Sequence, residues 1–109
     1  MMNNPWSGVV SLEIDGVERP MSLTLGALAE LETTLGDSTL VALVERFESG
    51  AFSSRDVMAL ILAGLRGGGW SVTQDDLLSA EIKGGLVGAT KATAQLLARA
   101  FLMPGERTP

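Results

Sequence analysis

The stretch GVVSLEIDGVERPMSLTLGALAELETTLG, residues 8–36, changes its hydrophobic period once, and that change decides the fold. Over residues 8–14 the side chains sort by alternation, with Val10, Leu12 and Ile14 on one face and Val9, Ser11 and Glu13 on the other, the period of a half-buried strand. Asp15-Gly16 follows, and this dipeptide suits the type I′ turn, whose positive φ values it tolerates and whose twist matches a hairpin. Residues 17–23 therefore return antiparallel, with Pro20, which has no N–H for a ladder, on an edge or facing outward. From Thr24 the period is helical: Leu25, Leu28, Leu31 and Leu35 recur at three- and four-residue spacing, with Glu30 and Glu32 off the stripe. Gly36 stands where a left-handed C-terminal cap is needed. A lone hairpin is marginal in water, so helices must cover it or a second copy or partner strand must extend its apolar edge.

Downstream, Asp37 or Ser38 is placed to cap a second helix over residues 39–49, whose stripe is Leu40, Leu43, Val44 and Phe47 and whose stop is Gly50. Ser53 caps a third helix, with Asp56 near its positive end, and residues 57–65 are apolar around most of the circumference. Such a helix belongs in the middle of a domain, with Val57, Leu60, Ile61 and Leu65 as central core. Gly67-Gly68-Gly69 ends it as a linker; Thr73-Gln74-Asp75-Asp76 then starts a short fourth helix reaching about Ala80, and Gly84-Gly85 separates this from a last helix over residues 86–102. That helix is expected to bury Leu86, Ala89, Thr93, Leu97 and Ala100 or Phe101, and to expose Lys91, Gln95 and Arg99. The expected architecture is a single α+β domain, an N-terminal β-hairpin packed on a bundle of four to five α-helices, with residues 1–6 and 104–109 as flexible tails.

Composition narrows the chemistry. The chain has 109 residues, 46% hydrophobic and 19% charged, a globular balance with an aliphatic core, since there is no Tyr, three Phe and two Trp. Thirteen acidic against eight basic residues give a formal charge of -5, whose field repels nucleic-acid phosphates and anionic membranes. The absence of Cys and His removes thiolate nucleophiles, zinc-thiolate sites and the commonest general base and metal ligand. No enzymatic activity, cofactor or metal is expected. Residues 1–7 carry no basic residue or apolar run of a secretory signal, and no stretch approaches the ~20 apolar residues of a membrane span.

Several local patterns have a chemical and a structural interpretation. Gly67-Gly68-Gly69 lacks the lysine of a nucleotide loop and follows a helix rather than a strand, so it is read as punctuation. Asp75-Asp76 lacks the alternating ligands of a calcium loop and suits a helix start. Leu35-Gly36-Asp37-Ser38-Thr39-Leu40 resembles the modified-serine motif of acyl carrier proteins, which keeps modification of Ser38 as an alternative of another class; the departure at Thr39 and the preceding hairpin favour paired helix caps. Trp70, after the glycines, either plugs the core or anchors a partner. Phe101, Leu102 and Met103 are three adjacent apolar residues that cannot all face one core, and with Trp70 they are the candidate partner-binding residues.

The chain as a whole resembles the gene transfer agent family of phage tail proteins. The resemblance rests on the hairpin from Gly8 to Gly16, the run Leu23-Thr24-Leu25-Gly26-Ala27-Leu28-Ala29-Glu30-Leu31-Glu32, Phe52-Ser53-Ser54-Arg55-Asp56, Ala63-Gly64-Leu65-Arg66-Gly67-Gly68-Gly69 and Gly84-Gly85-Leu86, in order from end to end. It implies a role in tail assembly, foremost as a chaperone that coats the tape measure protein before tail tube subunits polymerise around it. The family also carries the label of a tail tube protein, which implies a structural component instead. Implied partners are the tape measure and tail tube proteins and further copies of the chain. The implied location is the bacterial cytoplasm during assembly, or the virion tail for a structural component. No catalytic residue comes with the resemblance.

Overall fold

The computed structural model describes residues 10–36 and 39–102, the last two by their backbone alone. The period-two segment forms β1 (Val10–Ile14) and β2 (Val17–Met21), paired antiparallel with Ile14 opposite Val17 and Val10 opposite Met21. Asp15 and Gly16 both take positive φ, 53° and 80°, as a type I′ turn requires. A two-residue turn makes Ile14 and Val17 a bonded pair, and alternation then places Pro20, opposite Ser11, with its missing N–H turned away from β1. Residues 8 and 9 lie outside the described residues. The return strand ends at Met21, two residues short of expectation, where its partners in β1 would be residues 9 and 8; the outward-facing Ser22 N–H donates to the Gly64 carbonyl at 2.9 Å.

Five helices follow among the described residues: α1 (Leu25–Leu35), α2 (Leu40–Ser49), α3 (Ser54–Gly67), α4 (Gln74–Leu78) and α5 (Gly85–Leu97), the last running into a π-helical turn, Ala98–Leu102. Thr24 and Thr39 cap α1 and α2 through side-chain oxygens that accept from the Ala27 and Ala42 N–H groups at 3.1 and 3.0 Å. Thr39 takes the capping role expected of Asp37 or Ser38, both of which lie outside the described residues, as do the two tails. Ser53 and Thr73 cap α3 and α4 in reciprocal boxes closed by Asp56 and Asp76, so the acidic pair at 75–76 serves a helix start. The fourth helix ends at Leu78 rather than near Ala80, because the chain must turn to bring residues 81–83 beside β1. The last helix starts one residue earlier than expected, at Gly85, and loses α geometry after Leu97.

Residues 81–83 add a piece of sheet that period-two reasoning did not find. Ile82 bridges Ile14: the Asp15 N–H donates to the Glu81 carbonyl at 2.8 Å, and the Lys83 N–H donates to the Glu13 carbonyl at 3.0 Å. The Asp15 carboxylate also accepts from the Glu81 N–H at 2.9 Å. The outer edge of β1 is thereby bonded at its turn end, while the outer edge of β2 meets α3.

The apolar circumference of α3 puts it at the centre. Val57, Ile61 and Leu65 pack with Val10, Leu12, Ile14 and Met21 of the hairpin and with Leu96 of α5, whereas Ala59, Leu60 and Ala63 pack with Ala27 and Leu31 of α1, Leu43 of α2 and Leu97. Two expected core positions are corrected. Leu25 is 84% exposed at the start of α1, and Ala27 is buried in its place, because α1 comes so near α3 that a Cβ on Gly67 would lie 3.3 Å from that of Ala27. Leu86 is 63% exposed in the first turn of α5, and the buried face is Ala89, Ala92, Thr93, Leu96 and Leu97.

The glycines at the end of α3 do more than terminate it. A Cβ on Gly67 would fall on the Ser22 carbonyl and one on Gly68 on the Pro20 carbonyl, while one on Gly64 would lie 2.7 Å from Leu96 Cδ2 and 3.1 Å from Met21 Cβ. This stripe lets the helix nest against the backbone of β2 and corrects the expectation of a plain linker. Arg66 secures the turn beyond it, donating from Nε to the Val72 carbonyl at 2.9 Å and pairing with Glu30 of α1.

Candidate partner-binding surface

A cleft of about 310 Å³ lies beside the start of α3, lined by Arg46, Ser53, Arg55, Asp56, Thr34 and Met58 among others. Its charged centre is occupied by the protein itself. Arg46 donates from Nε and a terminal nitrogen to the two carboxylate oxygens of Asp56 at 2.9 and 2.8 Å, and Asp56 also accepts from the Ser53 N–H at 3.0 Å. The hydrogen bonds from Arg46 hold the Asp56 carboxyl below the ordinary carboxylate range against the opposing push of burial, and the same contact raises Arg46. An anchored ion pair of this kind positions α2 against α3, and the hydroxyls in the cleft lining are engaged with backbone, Ser53 accepting from the Asp56 N–H and Thr34 donating to the Glu30 carbonyl.

The apolar hollows lie on either side of α5. One, of about 280 Å³, is bounded by Val57, Met58 and Ile61 of α3, by Ala80 and Ile82, and by Leu86 and Ala89 of α5. The other, of about 110 Å³, lies between Val44, Phe47 and Glu48 of α2 and Ala94, Leu97 and Ala98 at the far end of α5. Leu86, Thr90, Ala94 and Ala98 recur at four-residue spacing and so form one ridge that joins the two hollows along the helix. Val87, 75% exposed, stands next to this ridge, and Leu78 is exposed nearby in sequence at the end of α4. Leu86 and Val87 are thus adjacent exposed apolar side chains on one helix, which makes this face the candidate contact surface.

The residues singled out from sequence fall in different places. Trp70 is half-buried against the hairpin side of the core, with the Arg19 guanidinium 4.0 Å from its ring centroid. The backbone of Phe101 and Leu102 continues α5 in the π-helical turn; their side chains, and all of Met103, lie outside the described residues, as does Ser38. The structure thus places Trp70 away in sequence and in element from the end of α5, where the backbone of Phe101 and Leu102 lies. Leu86 and Val87 were missed as surface residues because helical periodicity assigns a face and not the point at which the chain emerges from the core.

Among the described residues no helix is long and apolar enough to cross a membrane, and no group of three or more metal-ligating carboxylates is present. No curated protein matches the chain. No solved structure matches it either. Residues 7–103 match a family model described as phage tail tube protein, GTA-gp10, a structural family of phage tails. With nearly all of its length covered by that match, the chain belongs to the phage tail tube protein, GTA-gp10 family.

Proposed function

We propose that this family member acts in tail assembly as a chaperone, holding a helical segment of the tape measure protein along α5 until tube subunits close around it. The observation that carries the reading is that each hairpin edge is partly taken up by the chain itself, β1 at its turn end and β2 where it runs into α1. A tube wall built by sheet pairing between subunits needs free strand edges. Here the Ser22 N–H is bonded to α3 and Pro20 blunts the outer side of β2, while Glu13 and Asp15 on the outer side of β1 are bonded to residues 81–83. What remains open is a helix ridge between two apolar hollows, a surface suited to an amphipathic helix. In this reading Phe101, Leu102 and Met103 are candidate contact residues that follow the ridge in sequence, and Trp70 chiefly supports the hairpin beneath Arg19.

The description of the family favours a second reading, a structural component of the tube that stays in the virion tail. Co-expression with the tape measure protein separates the two. The chaperone reading expects the tape measure to become soluble and to elute with this chain on size exclusion in the bacterial cytoplasmic fraction. Rings or tubes formed by this chain alone, with the tape measure left insoluble, would establish the structural reading in its place.

A further inference from the structure

We infer that the open stretch of β1, centred on Ser11, pairs antiparallel with the same stretch of a second copy of this chain, closing a four-stranded sheet across a two-fold axis. In the hairpin Ile14 and Val17 exchange backbone bonds, and by alternation so do Leu12 with Arg19 and Val10 with Met21, which turns the N–H and C=O of Ser11 and of Glu13 to the outer side of β1. Residues 81–83 take the Glu13 carbonyl and go no further along the strand. The Glu13 N–H and both backbone groups of Ser11 make no hydrogen bond among the described residues, and Ser11 is exposed. The pairing uses the hairpin alone and stands whether or not α5 holds a helix.

A second copy is the occupant because β2 offers no matching edge. Its outward positions are Glu18 and Pro20; Pro20 has no N–H, and its carbonyl is covered by the end of α3, so closely that a Cβ on Gly68 would fall on it. Head-to-tail addition of copies joins two different edges, whereas a two-fold pair joins one edge to itself, so a chain with one usable edge closes at two. The side chains suit that closure. With Ser11 opposite Ser11 of the second copy, Val10 stands opposite Leu12 on the core face and Glu13 opposite Val9, so apolar meets apolar and no like charges are opposed. Sliding the register toward the turn would run the incoming strand into Lys83. No Lys, Pro or bulge interrupts Val10 to Leu12, the devices that keep an edge single. The junction is short and a formal charge of -5 on each copy opposes it, so the pair is weak and salt strengthens it.

The test follows the full chain by sedimentation equilibrium from about 5 to about 500 μM, at low salt and near 0.5 M NaCl, and reads amide hydrogen exchange at both ends of that range. A monomer–dimer equilibrium is expected, with a dissociation constant that falls severalfold in salt. At high concentration the Ser11 and Glu13 amides are expected to exchange severalfold more slowly than at low, while the Glu18 amide on the β2 edge does not change. Ser11→Lys opposes two like charges across the axis, and Ser11→Pro removes only an outward N–H and leaves the hairpin ladder intact; each is expected to weaken the dimer about tenfold with an unchanged far-ultraviolet circular dichroism spectrum. Val87→Asp on α5 is expected to leave the dimer as it is. A monomer throughout, a dimer that survives both Ser11 substitutions or is lost in Val87→Asp, or growth past two copies into rings or filaments overturns the inference. A Ser11 amide protected only when another tail protein is added assigns the edge to a partner strand and overturns the second copy.

Discussion

Replacing Gly67 by alanine tests how α3 is seated, because the substitution asks two opposed effects to compete at one position. Gly67 ends α3 with ordinary helical backbone, so alanine is favoured there by up to about 1 kcal/mol on propensity alone. Its Cβ, however, would fall on the Ser22 carbonyl oxygen and lie 3.3 Å from the Ala27 Cβ. Neither neighbour can move aside by changing a rotamer: one is backbone, held by the Ser22 N–H bond to Gly64, and the other is a methyl on α1. Relief requires α3 to withdraw from β2 by roughly 1 Å, spoiling the packing of Met21, Leu65 and Leu96, and overpacking of this kind costs ~1–3 kcal/mol or more. The net expectation is a loss of about 2 kcal/mol, which at ~4–8 °C per kcal/mol lowers the melting temperature by roughly 10 °C. Thermal and urea unfolding followed by far-ultraviolet circular dichroism would measure it. Gly26→Ala is the control, since its Cβ meets nothing nearer than Thr24 Oγ1 at 3.9 Å, and a gain of about 0.5 kcal/mol is expected. If Gly67→Ala were as stable as the parent while Gly26→Ala gained, the nesting of α3 on β2 would be refuted.

Three further outcomes follow from the same packing. Asp56→Asn, which keeps a cap but loses the ion pair with Arg46, should cost about 2 kcal/mol at neutral pH. Because the folded carboxyl titrates below its unfolded value, that contribution is present above the unfolded value of ~3.9 and disappears as pH falls through the folded one; the difference between parent and variant should shrink below about pH 4, and a difference constant with pH would contradict the assignment. Arg19→Gln should lower stability by about 0.5–1 kcal/mol in the parent and by much less in a Trp70→Leu background, a double-mutant cycle that isolates the guanidinium–indole contact. Thr39→Ala should cost about 1 kcal/mol by uncapping α2, whereas no change on urea unfolding would return the capping role to residues outside the described set.

The alternating face Val10, Leu12 and Ile14, the Asp15-Gly16 turn, the outward Pro20 and the central α3 are all legible in the sequence because each rests on a local rule of periodicity or dihedral preference. What sequence reasoning missed is non-local. Ile82 joins β1 through two backbone hydrogen bonds that leave no side-chain period, and the Gly64, Gly67 and Gly68 stripe looks like punctuation until β2 is seen against it. Leu25 and Leu86 fail for a related reason: both sit in the first turn of a helix, where periodicity continues but the core has not yet begun. The α5 ridge was hidden in part by the same limitation, since Leu86 at its start was assigned inward.

The central claim is that α5 holds a helical partner during tail assembly. It is met most directly by co-expressing the tape measure protein with the parent chain and with a Leu86→Asp, Val87→Asp variant shown to be folded. The account predicts a soluble complex that elutes as one species for the parent and an insoluble tape measure for the variant. Equal co-elution with both chains, or tubes formed by the parent alone beside an insoluble tape measure, would contradict it.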